Sequence, residues 1–198
     1  MVYRATPVRR LVLFHGWGVG GSRHGVQALA KELRALGHDV ITPSYGRVWL
    51  PVQTRRTSRR VALNWSGRIR HGDVLIGHSN GGRIAWEMSH YTNGRVKQMV
   101  LINPALEPDS VPGSGVDKCY VIHHPDDRVV KFARFVPWSD WGVMGATGYQ
   151  PSTDWGEDSR MVNIRFGSGD HSAFASPGWC KQYADLIHHL LTATALRT

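Results

Sequence analysis

The sequence is poor in cysteine and in acidic residues, and it has no long apolar run. Cys119 and Cys180 are its only two cysteines. That is too few for a disulfide framework or a thiolate metal site, so both are expected as free, buried thiols in a reducing compartment. No stretch approaches the roughly 18 consecutive apolar residues that a membrane-spanning helix requires. The amino terminus, "MVYRATPVRRLVLFHGWG", offers only a short apolar run before His15, too short for a secretory leader, and the expected location is cytoplasmic. Acidic residues number 15 against 24 lysines and arginines, which leaves a formal charge of +9. Such a balance favours anionic partners and says nothing about fold. The densest basic cluster is "TRRTSRR", where Arg55 and Arg59, and Arg56 and Arg60, stand four apart and share one helical face. A solvated helix face accounts for it, and without interleaved aromatics a nucleic-acid partner is not expected.

What is present is a regular alternation. Unbroken apolar runs of strand length recur in "RLVLFHG", "HDVITPSYG", "DVLIGHS", "KQMVLINPA", "KCYVIHHPDD" and "MVNIRFGSGD". Runs of this kind suit strands buried on both faces of a parallel sheet. Helical patterns lie between them, in "HGVQALAKELRALG", "TRRTSRRVALNWSGRIR", "GGRIAWEMSHY" and "WCKQYADLIHHLLTAT". With an apolar fraction of 41% and 198 residues, the expectation is one domain, 1–198: a three-layer α/β/α sandwich on a mostly parallel sheet of about six strands. Two long connections, 104–117 and 131–160, fall where open sheets place binding surfaces.

Chemistry concentrates at "VLIGHSNGG". An apolar strand breaks into a serine with glycines two residues either side, and a helical pattern follows. A serine becomes a useful nucleophile when a tight turn projects it toward a base, and glycines relieve the crowding of strand against helix at such a turn. Gly77-His78-Ser79-Asn80-Gly81 fits the G-x-S-x-G elbow in the context that the motif demands. Acyl transfer also needs backbone N–H groups aimed at the developing oxyanion. Asn80, opening the helix, is one candidate donor, and Trp17 in "LVLFHGWGVGG" is the other, with Gly18 as the alternative. His15, just before that turn, reads as a residue bonding the loop rather than a base. For the base itself His171 stands out, on the Gly-rich loop "GSGDH" past the last strand. Asp126 and Asp127 follow "CYVIHH" at the same end of the sheet, and the order Ser, Asp, His is that of the architecture carrying this elbow.

Together "FHGWG", "GHSNGG", "HPDDRVV" and "GSGDH" resemble the α/β-hydrolase superfamily, in register from about residue 11 to 190. The resemblance implies Ser79 as nucleophile, His171 as general base and then acid, and Asp127 as the group orienting the imidazole. Alignment on Val130 favours Asp127 over its neighbour Asp126, and puts His124 where the superfamily usually has glycine. Serine at the elbow argues against the branches that attack through a carboxylate. Only residues 104–117 fill the gap where a helical lid is often inserted, so a lidless hydrolase is expected.

The wall of the substrate site is expected from 131–160, in Trp138, Trp141 and Met144, with Tyr149 and Trp155 also in that range, together with Trp17. Met88 reads as core. The pair His123-His124 is not read as a metal site, since adjacent strand residues face opposite ways. Neither metal nor other cofactor is expected. The function expected is a serine hydrolase cleaving carboxylic esters of short to medium acyl chain, on small or polymeric substrates that the basic surface biases toward anions. The alternatives are a thioesterase or acyltransferase, an esterase of cell-envelope polymers, and a non-catalytic binding protein on the same fold.

Overall fold

The structure, a computed structural model, describes residues 8–16, 21–45, 54–133, 135, 141–152, 156–167, 171 and 176–195. Six strands form one sheet: β1 (Arg10–Phe14), β2 (Asp39–Ile41), β3 (Val74–His78), β4 (Gln98–Ile102), β5 (Lys118–His123) and β6 (Met161–Arg165). Their order is β2-β1-β3-β4-β5-β6 and every pairing is parallel. The expected sheet is therefore found, wholly rather than mostly parallel. All the strands point their carboxyl ends to one edge, and the loops that carry the chemistry gather there.

The helices are α1 (Gly21–Ala35), α2 (Thr54–Ser66), α3 (Asn80–Ser89), α4 (Arg128–Ala133), α5 (Met144–Thr147) and α6 (Pro177–Ala195). One face of the sheet offers Val12, Leu75, Met99, Leu101 and Val121 to Val61 and Ala62 of α2, and to Ile84 and Met88 of α3. The other face offers Leu11, Leu13, Ile76, Val100 and Ile122 to Leu29 and Leu33 of α1, and to Tyr183, Ile187 and Leu191 of α6. Alternation along β3 and β4 thus feeds two cores, which is why both strands are buried throughout. The sheet's margins differ. β2 holds three residues, and β6 alternates buried with open positions, as an edge strand does.

Between β4 and β5 the chain forms only turns and loop, so no helix is inserted there. Both thiols are free and buried, and burial pushes that of Cys119 up to about 12. Among the described residues no helix is long and apolar enough to cross a membrane.

Candidate active site

β3 is buried along its whole length and delivers Ser79 into a turn so sharp that its backbone sits at φ 55, ψ −124. A positive φ on a non-glycine residue is uncommon, and it is characteristic of side chains held for a purpose. The turn is over-determined by its neighbours. Ser79 N–H donates to the Ile102 carbonyl at 2.9 Å, and the Ser79 carbonyl accepts from Gly82 at 2.9 Å and from Ala105 at 3.2 Å. Side chains at the flanking glycines would forbid it. A Cβ on Gly77 would stand 2.2 Å from the Gly81 carbonyl oxygen, and one on Gly81 would stand 2.2 Å from that of Phe14. The pentapeptide's spacing is the geometry of α3 pressed against β1 and β3.

Asn80 is the first residue of α3, where a backbone N–H has no partner within the helix. It lies one residue beyond the serine, in the position expected of an oxyanion donor, and its Oδ1 accepts from Ser58 of α2 at 3.3 Å. Trp17 and Gly18 lie outside the described residues, as do Trp138 and Trp155. The stretch leading to that first turn is anchored by Tyr45, whose hydroxyl donates to the His15 carbonyl and whose ring stacks on the His15 imidazole at 4.2 Å. His15 Nδ1 bonds the Gly16 carbonyl at 2.9 Å, so its ring is engaged with the loop itself.

Of the two neighbouring carboxylates, Asp127 reaches the histidine. Its Oδ2 lies 2.7 Å from His171 Nδ1, and its side chain is fully buried, whereas Asp126 is exposed. The other oxygen, Oδ1, accepts the Val130 N–H at 3.2 Å, so one carboxylate both holds the imidazole and caps α4. With Nδ1 bonded to a carboxylate, the proton on that nitrogen is fixed and Nε2 is left as the basic atom.

Two further residues shape this centre, and the sequence reading assigned neither a role. The His78 ring packs 4.9 Å from that of His171 and hydrogen-bonds its backbone. Burial, and next the neighbouring His171, hold its pKa well below the usual imidazole value, so it is a neutral support behind His171. Tyr183 of α6 shares a hydrogen bond with His124 Nε2, and burial followed by the charge of Asp127 pushes its phenol upward. His124, in the place of a glycine, thus fills the space between the acid turn and α6. A histidine beside the serine and a tyrosine in an apolar helix stripe were the only available signals. Both roles depend on tertiary neighbours.

The expected wall residues fare differently. Met144 is fully buried in the main core and is not available to substrate. Its turn is laid against the loop after β4, with Met144 N–H on the Leu106 carbonyl and Gly145 N–H on the Pro104 carbonyl, both at 3.0 Å. Trp141 is buried against Ala105 of the same loop. Tyr149 helps line a cleft of about 740 Å³ with Trp86, His90 and Val111. That cleft has none of Ser79, Asp127 or His171 in its wall, and Trp86 stands seven residues, about 10 Å, along α3 from the serine. The rings of His123 and His124 face opposite ways, the first toward Gly148 and the second toward Tyr183.

No family model matches the sequence, and no curated protein does. Solved structures do match. Alpha/beta hydrolase domain-containing protein 10 from mouse superposes with a TM-score of 0.63 at 14% identity, over 95% of this chain and 91% of that one. A serine hydrolase without a lid from Xanthomonas campestris gives 0.55 at 16%, over 93% and 82%. An extracellular alpha/beta-hydrolase from a Paenibacillus species gives 0.56 at 16%, over 91% and 98%. The chain has the α/β-hydrolase fold, with no helix inserted between β4 and β5.

Proposed function

We propose that the protein is a serine hydrolase that cleaves carboxylic esters through an acyl-enzyme on Ser79. The observation that carries this reading is the 2.7 Å contact between a fully buried Asp127 and His171, whose ring packs on that of His78, the residue before a serine held at φ 55. Asp127 keeps the proton on Nδ1, and His171 Nε2 takes the serine proton as Oγ attacks the ester carbonyl. Negative charge then develops on the carbonyl oxygen, where the Asn80 N–H and one donor from the turn after β1 stabilise it. His171 returns its proton to the departing alkoxide. Water, activated by the same nitrogen, releases the acid.

The connection between β4 and β5 carries no helical insertion, which supports an accessible site, one compatible with bulky alcohols. The test is turnover of p-nitrophenyl esters of graded acyl length by the native protein and by Ser79→Ala. Turnover that disappears with the hydroxyl, in a variant that melts at an unchanged temperature, is the expected result. Equal turnover by the two proteins, or failure of a fluorophosphonate to label Ser79, sinks the reading.

A further inference from the structure

The described surface hides its large apolar side chains with few exceptions, and the exceptions cluster. Three of the five exposed ones are Val129, Phe132 and Phe135, at 46, 68 and 67% exposure. They recur every third residue along α4 and the turn that follows it, where Phe135 N–H bonds the Phe132 carbonyl at 2.9 Å. Val130, between them, is fully buried and fixes the helix to the core. Phe132 on α4 and Phe135 in the turn after it are two largely exposed phenyl rings, an apolar patch that an ordinary solvated face does not carry.

The place of this patch matters as much as its composition. α4 begins on the residue after Asp127 and is capped by that carboxylate, so the patch starts at Val129, within one helical turn of the acid. The surroundings are basic. Arg128 and Lys131 are exposed on α4 itself. No ion pair reaches either of them among the described residues, and the exposed acid beside them along the chain is Asp126. Apolar rings bordered by cations match the layering of a lipid interface, rings at the acyl boundary and cations at the phosphates. A second copy of the chain is the poorer partner, since pairing two such rims would set like charges face to face.

We propose that α4 and the turn after it form a docking surface for an anionic lipid interface, which holds the open end of the site against a bilayer or micelle and presents ester lipids to it. The choice of ester lipid as substrate rests on the hydrolase reading above, whereas the docking can be measured without turnover. The test is co-sedimentation of Ser79→Ala with vesicles of phosphatidylcholine, and with vesicles of phosphatidylcholine and phosphatidylglycerol. Partition to the anionic vesicles is expected, weakening as salt is raised. Replacing Phe132 and Phe135 by serine should lower it about tenfold or more. Arg128→Gln with Lys131→Gln should lower it several-fold and flatten its salt dependence, an arm that stays informative if the serine pair fails to fold.

In the Ser79-bearing protein, the serine pair should still hydrolyse a soluble short-chain ester at the native rate. Absence of partition by the folded protein overturns the proposal, as does partition indifferent to the rings and the cations. So does light scattering that shows a dimer lost in the serine pair, or a KM on soluble esters raised by the pair with vesicle binding unchanged. Vesicle binding without turnover of any ester overturns the hydrolase reading and leaves the docking surface standing.

Discussion

Asp127 has two obligations, one for each oxygen: Oδ2 meets His171 and Oδ1 meets the first turn of α4. Asp127→Asn preserves an oxygen for the helix but presents an amide where the imidazole expects an anion. The wrong tautomer of His171 then becomes competitive. On the proposed mechanism kcat should fall by about three to four orders of magnitude with little change in melting temperature. Asp126→Asn, on an exposed neighbour, should leave both within about twofold. Steady-state kinetics on one soluble ester distinguish the two, and a greater loss in the Asp126 variant would transfer the orienting role to it. The sequence narrowed the acid to two adjacent positions and favoured Asp127 only through the superfamily's spacing to Val130, because adjacency along a chain says nothing about which side chain turns inward. What separates them is the capping bond to Val130 and burial beneath His171.

The contact between α3 and the strands beneath it is the tightest junction between elements, and it hangs on an absent side chain. Gly81→Ala would bring a methyl to 2.2 Å from the Phe14 carbonyl oxygen and 2.6 Å from that of His15. Both are backbone atoms of β1 and the turn after it, so neither can rotate aside. The substitution should cost about 3 kcal/mol or more, read as a fall in the denaturant midpoint; a midpoint within experimental scatter of the native value would contradict the packing described. Elements were legible in proportion to their length and to their burial. All six strands and the four longer helices follow from unbroken apolar runs and 3.6-residue spacing. β2 shrank to three residues and α2 stopped at Ser66, ahead of Gly67, because an edge strand and a helix end depend on neighbours more than on pattern. α5, one turn long, carries no periodicity to detect, and Met144, read as pocket wall, is core because that turn folds back onto the loop after β4.

Across the whole molecule the buried histidines set the response to acid. His78 is held neutral chiefly by burial, and His38 and the half-buried His123 are depressed for the same leading reason. The unfolded chain takes up protons at these imidazoles near pH 6.5, whereas the native chain does not. Protons therefore favour unfolding, and stability rises with pH up to about 6.5 and is lost as pH falls below it. Each such histidine contributes at most about 1.4 kcal/mol per pH unit in that window. Thermal melting should show a plateau near neutrality and a steep decline from pH 6.5 toward 5. A melting temperature that holds or climbs over that interval would contradict neutral burial of these rings.

The order of the strands also governs when the protein can act. Ser79 and Asp127 leave β3 and β5, while His171 follows β6, the far margin of the sheet, and α6 then closes over α1 with Tyr183 against His124. During synthesis the first five strands can assemble with nucleophile and acid already in place. On the proposed mechanism they remain inert until the sixth strand docks and brings His171 against Asp127. On the proposed mechanism such a chain needs no inhibitory propeptide while it grows, since its activity is withheld by sequence order alone.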